Sequence, residues 1–180
     1  MAGYMLMTLA QLAAELRQLA TRPEHAWLSD PTILSDVDSA VVKLNRSQQA
    51  AVDGNTPPIR KRAEKFLRDH CIATKRNVIR NLSRADAFAL VAAIELDAAL
   101  ATDEWPLRLF SAEVEADDNG NPIQLLSSVE LLHLVEKEAL ITRDERVRTY
   151  RDWVQYGEFS QDAPAVYRRL FNEPPPKANR

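Results

Sequence analysis

The stretch Asn81–Trp105, NLSRADAFALVAAIELDAALATDEW, leaves the fold few choices. Between Ala85 and Leu96 only Asp86 and Glu95 are polar, so a helix here is apolar on nearly every side and has to be surrounded by other elements. Ser83 and Asp86 have the S-x-x-D spacing of a capping box, in which a hydroxyl and a carboxylate exchange hydrogen bonds with the free amides of the first turn. Asp97 interrupts the run. Ala98–Thr102 (AALAT) is short, apolar and closed by polar residues, the pattern of a central parallel strand. Asp103 and Glu104 then fall at that strand's carboxyl end, the edge where open α/β sheets bind ligands.

The flanking segments alternate in the same way. GYMLMT at 3–8 reads as a strand leading to a helix that Thr8 caps, with Leu9, Leu12, Leu16 and Leu19 on one stripe and Glu15 on its flank. Pro23, Pro31 and the run DGNTPP at 53–58 punctuate the next part, with one helix suggested by Ile33, Val37, Val41 and Leu44. Pro58 suits the first turn of a basic helix. Beyond an acidic loop at 113–122 with a turn at Asn119-Gly120, Ile123–Leu126 reads as a second short strand, and Ser128 as the cap of a helix carrying Leu131, Leu132 and Val135. Thr142 and Glu145 form another capping box, opening a helix that stops at Gly157, and Val166, Tyr167 and Leu170 mark a last helix. The expectation is one α/β domain over 1–172, a small parallel sheet flanked by helices, with a helical insertion at about 32–70 and a flexible tail at 173–180.

Charge is unevenly spread. The chain carries −3 in total, yet Ile59–Arg80 carries +6, leaving −9 elsewhere. Arg60, Arg62, Lys65, Arg68, Lys75 and Arg76 are the candidate contacts to a phosphate backbone; a solvated helix face has the same composition. Cys71 is the single cysteine, which excludes an internal disulfide and suits a reducing, cytoplasmic setting. No apolar run approaches the roughly 18–20 residues of a membrane span, so no membrane partner is expected. Four glycines, with no GxGxxG and no Walker lysine, argue against a Gly-rich phosphate loop.

The acids Glu15, Asp86, Asp103 and Glu104 carry the chemistry. Each has a plain alternative: Asp86 as a capping residue, Asp103 and Glu104 as loop acids, Glu15 as a solvated side chain. Taken together, carboxylates gathered at one sheet edge repel one another and need a cation or a shared proton. Oxygen-only ligands favour Mg²⁺ or Mn²⁺, ions that assist phosphodiester cleavage.

The run NLSRADAFALVAAIELDAALATDEWPLRLF resembles the C-terminal half of a PIN domain, a small metal-dependent ribonuclease fold used by many toxins of toxin–antitoxin pairs. Further on, IQLLSSVELLHLVEKEALIT is similar to the family's last strand and helix, and MLMTLAQLAAELR to the strand and helix that carry its Glu. The resemblance implies Asp86 and Glu104, with Asp103, as ligands of Mg²⁺ or Mn²⁺, and Glu15, Asp86 and Glu104 as catalytic residues. It implies RNA as substrate, with an antitoxin or other protein, or a second copy in a homodimer, as partner. The family's first strand ends in an Asp ahead of the Glu-bearing helix, whereas no acid precedes Glu15. The expected fold is therefore PIN-like but N-terminally incomplete. Two activities fit: a PIN-like metal-dependent nuclease, or a catalytically impaired relative that binds nucleic acid or a partner protein.

Overall fold

The computed structural model describes residues 5–76, 80–114, 120–156 and 162–178. The fold is mostly helical with one two-stranded parallel sheet, a mixed α/β arrangement. Helix α1 (Ala10–Leu19) is followed by a 3₁₀ segment (Pro23–Ser29), α2 (Pro31–Ser39) and the long α3 (Arg46–Ala73). Then come α4 (Arg84–Glu95), β1 (Leu100–Ala101), α5 (Trp105–Ser111), β2 (Leu125–Leu126), α6 (Ser128–Lys137), α7 (Arg143–Tyr156) and α8 (Ala163–Phe171). Among the described residues no helix is long and apolar enough to cross a membrane.

The buried position expected of α4 is observed. Ala87, Leu90, Val91 and Ala92 are at most 3% exposed. On one side Leu90 and Ala93 pack with Ala63 and Leu67 of α3 and with Leu107 and Phe110 of α5. On another, Val91 and Ala92 meet Val52, Leu9 and Leu44. A separate core joins the last three helices through Val129, Leu132, Tyr150, Ala163 and Tyr167.

Two expectations about helix starts are corrected. Thr8 does not cap α1; its N-cap is Leu9, with no side-chain hydrogen bond, and Thr8 instead forms a parallel bridge to Val41. Nor does a helix begin at Pro58. A capping box of Asn45 and Gln48 starts α3 and the helix runs on through Gly54, Pro57 and Pro58 for 28 residues. The prolines remove the amides that would bond the carbonyls of Asp53 and Gly54. One residue earlier, the Thr56 hydroxyl donates to the Val52 carbonyl at 2.6 Å. Packing keeps the helix whole: Val52 and Thr56 before the prolines and Ala63 and Leu67 after them are all buried. Tertiary contact on both sides overrides a local breaker.

The strands are shorter than the apolar runs that suggested them. β1 and β2 pair over two residues each, Leu100 with Leu125 and Ala101 with Leu126. Ser127, rather than Ser128, caps α6. Of the expected turn at Asn119-Gly120 only Gly120 is described, with a positive φ of 76°, and the stop at Gly157 lies outside the described residues. Glu173, assigned to the tail from sequence, is held by Arg143, Arg146 and Tyr167 and belongs to the helical unit.

Candidate nucleic-acid interface and acidic rim

Helix α4 ends at Glu95, and Asp97 reverses the chain in a left-handed conformation (φ 50°) before β1. The strand therefore runs back along the helix. At about 1.5 Å per helical residue and about 3.3 Å per extended residue, the chain returns near the level of the α4 N-terminus by residue 103. There β1 and β2, being parallel, present their carboxyl ends together: both oxygens of Asp103 accept from the amide of Ser128 in α6, at 3.2 and 3.3 Å. Asp103 at the end of β1 thus meets the N-terminus of α6, with Glu104 beside it at the start of α5; for Asp86, chain lengths alone put the α4 N-terminus at about the same level.

Asp86 and Asp103 serve helix N-termini with their carboxylates, whereas Glu104 is an N-cap by position only, with no side-chain cap bond. Asp86 accepts from the Ser83 amide at 3.0 Å while its own amide donates to the Ser83 hydroxyl at 3.0 Å. This is the capping box expected from Ser83-Arg84-Ala85-Asp86. Glu130 does the same for α6, accepting from the Ser127 amide at 2.8 Å and hydroxyl at 2.9 Å. Glu104 is the exposed N-cap of α5, its amide donating to the Thr102 hydroxyl at 3.1 Å. Arg108 reaches back to the Thr102 carbonyl at 3.0 Å and fixes the turn. Each carboxylate that accepts from a first-turn amide satisfies a donor that the helix itself cannot, and it favours the positive end of the helix dipole.

Glu15 is exposed on α1. The described residues contain no group of three or more His, Cys, Asp or Glu side chains arranged to hold a metal ion. As donors for Mg²⁺ or Mn²⁺ the rim acids are hard oxygens of the right kind. Both Asp103 oxygens and one of Asp86 accept from amides, the Glu104 carboxylate does not, and the four expected acids do not form a metal-holding group among the described residues. The fit is incomplete.

The basic stripe lies along α3 and just beyond it. At 100° per residue, Lys61, Lys65 and Arg68 fall within about 60° of one another, opposite the buried Val52, Ala63 and Leu67. Arg60 and Arg62 flank the buried side, and both are tied to backbone. Arg60 donates to the Leu82 carbonyl at 3.4 Å and Arg62 to the Glu113 carbonyl at 2.9 Å. Arg68 pairs with Glu64 one turn away at 2.9 Å, an exposed ion pair of small energetic weight. Lys75 is exposed past the helix end, and the Arg76 guanidinium lies over the Trp105 ring, 4.5 Å from its centroid. All six expected basic residues are exposed; they divide only by partner, Arg60 and Arg62 being tied to backbone carbonyls of other segments.

No family model, no curated protein and no solved structure matches the chain significantly.

Two groups escaped the sequence reading. Trp105 gives the basic surface an aromatic partner, but it is separated from Arg76 in sequence and only the fold joins them. The second group is the polar centre of the C-terminal helices. Arg146 is 3% exposed, and it donates to Glu136 at 3.1 Å, to Glu173 at 2.7 Å and to the Tyr167 hydroxyl at 2.7 Å. Its guanidinium also lies 4.0 Å from the Phe171 ring centroid. The Arg143 hydrogen bond, supported by those of Tyr167 and Arg146, outweighs partial burial and holds the Glu173 carboxyl down at about 2. Burial, then the bond to Glu173, pushes the Tyr167 hydroxyl well above the usual phenol range. The network ties α6, α7 and α8 together, and its work is structural.

Proposed function

We propose that the protein is a PIN-like domain that binds RNA, through the outward basic face of α3 and the Arg76–Trp105 pair at its end. The observation that supports this most is the joint placement of Lys61, Lys65 and Arg68 on one solvent face with a guanidinium stacked on a tryptophan beyond it. Cations in a row neutralise successive phosphates, and an aromatic edged by arginine is suited to stacking against an unpaired base. The alternation of α4, β1, α5, β2 and α6 and the gathering of acids at the sheet's carboxyl edge are consistent with the PIN-like reading.

Charge reversal of Lys61, Lys65 and Arg68 to glutamate is expected to weaken binding of a single-stranded RNA at least about tenfold and to lower the slope of log affinity against log salt by about 2–3. Fluorescence anisotropy at several salt concentrations measures both. Equal affinity and equal slope for variant and wild type would overturn the proposal. The three positions are exposed or partly exposed, so the fold should survive the change.

A second reading, metal-dependent RNA cleavage, is favoured by Asp103 and Glu104 at the end of β1, with the Asp86 end of α4 at about the same level. Mg²⁺ keeps several waters and is commonly held by one or two carboxylates plus substrate phosphate, so a site could be completed only with RNA bound. In that reading Asp86 and Glu104, with Asp103, would hold the ion and supply charge neutralisation at the phosphate. Asp86→Asn retains a carbonyl oxygen able to accept from the Ser83 amide. The variant should lose Mn²⁺-dependent cleavage while keeping its thermal stability within a few degrees. Identical cleavage by variant and wild type removes this second reading and leaves binding alone.

A further inference from the structure

An apolar groove of about 670 Å³ runs between the N-terminal segment Met5–Leu9 and the strand β1, floored by α4 and α6. Among the described residues Glu138 is the one charged side chain lining it. One wall is the edge of β1, and the other is the segment 5–9, whose one bridge is at Thr8 among the described residues. On the β1 side, Leu100 and Thr102 direct their amides to Gln124 and Leu126, which leaves the peptide groups of Ala99 and Ala101 facing away from β2. On the other side, Thr8 bonds Ala40 and Val42 with its amide and carbonyl, so in an extended chain the peptide groups of Met7 and Met5 face the opposite way. Ala99, Ala101, Met5 and Met7 make no backbone hydrogen bond among the described residues.

From this we infer that Met5–Met7 is a detachable strand, able to close across the groove onto Ala99–Ala101 and join the Thr8–Val41 bridge to the β1–β2 pair as one four-stranded sheet. The chemistry of the segment suits that role. Met5, Leu6 and Met7 are 77%, 57% and 41% exposed, apolar, and outside any helix or strand. Closure buries these side chains over the alanines of α4 and pairs peptide groups on both edges, each of which otherwise depends on water. The segment is already anchored at Thr8, so closing orders only a few residues and its entropic penalty is small. In the open state the groove is an exposed apolar patch beside an unpaired strand edge, the arrangement through which sheets recruit an extended segment from another chain. The strand is thus a cover for its own sheet. This inference does not depend on RNA binding.

Hydrogen exchange of the full chain, resolved at single amides, tests it. In wild type the Ala99 or Ala101 amide is expected to exchange at least about tenfold more slowly than an unstructured amide, independent of protein concentration. The double variant Met5→Pro/Met7→Pro, which removes both outward donors, should abolish that protection and leave α4 amides unchanged. The single variant Met5→Pro, at the most exposed position, should reduce it if the double variant folds poorly. Exchange of both alanines at the unstructured rate in wild type would refute the closing strand. So would protection that survives both variants, or protection that appears only as the chain dimerises, which would assign the covering strand to a second copy.

Discussion

Replacing Arg146 by alanine is expected to destabilise the protein by about 3 kcal/mol, the lower end of the range for removing one partner of a buried ionic network. The guanidinium is 3% exposed and serves Glu136, Glu173 and the Tyr167 hydroxyl at once. Its loss strands Glu136, 24% exposed, leaves Glu173, 22% exposed, with only Arg143 and Tyr167, and takes a cation from the face of Phe171. Partial exposure lets those carboxylates recover some hydration, which is why the lower end applies. Urea denaturation should show a lower midpoint with an unchanged slope. A change below about 1 kcal/mol would mean that the network contributes little more than an exposed ion pair. The pH dependence has a definite sign. Glu173 is held at about 2 when folded against an ordinary 4.5, so its contribution is complete above pH 4.5 and is lost as the pH falls from 4.5 towards 2. Glu173→Gln should flatten the stability profile within that window, and an unaltered acid limb would rule out Glu173 as its source.

The network also shows where legibility from sequence ends. In TRDERVRTYRDW, Arg146 looks like one more charge on a solvated helix, and nothing local distinguishes it from Arg148 or Arg151. Its burial follows from how α8 and Glu173 return over α7, which is tertiary information. Short-range chemistry was readable: the Ser83–Asp86 and Thr142–Glu145 boxes close in three residues and both form. So was the burial of α4, because a helix without a polar face has nowhere else to go. The strands at 98–102 and 123–126 were located but overextended, since ladder length depends on both partners and β2 offers only Leu125 and Leu126, while of the run at 3–8 the described residues show only the Thr8 bridge. The basic stripe was visible as composition. That Arg60 and Arg62 are tied to backbone was not, because their acceptors lie 22 and 51 residues away. For the rim, sequence supplied the acids and the order of the elements; the commitment of Asp103 to the α6 amide depends on a contact 25 residues distant.

The largest departure, the uninterrupted α3, yields the second strong prediction: Pro57→Ala/Pro58→Ala should stabilise the protein by about 2 kcal/mol or more, with the full penalty of an interior helical proline being about 3 kcal/mol each. Alanine restores amides to the carbonyls of Asp53 and Gly54 and relieves the clash of each ring with the preceding turn. Part of the gain is cancelled because proline also restricts the unfolded chain, an effect of about 0.4–1 kcal/mol per residue. Both prolines are exposed, so no core contact is sacrificed. Gly54 adds an independent increment: a Cβ there meets nothing within 4 Å, and Gly54→Ala should contribute about 0.5–1 kcal/mol. If α3 were instead two helices hinged at DGNTPP, as the sequence alone suggests, the prolines would be serving a turn and the helix start after it, and their replacement would lower stability. The sign of the measured change therefore discriminates between the two architectures. The basic face is involved as well. Lys61, Lys65 and Arg68 lie beyond the prolines, and Val52 anchors the helix before them. One continuous helix fixes those cations relative to the α4 core, and a hinged one would let them swing. Stabilising α3 with alanines should then leave RNA affinity unchanged or raise it slightly, whereas a hinge that had to bend for binding would make the same variant bind more weakly.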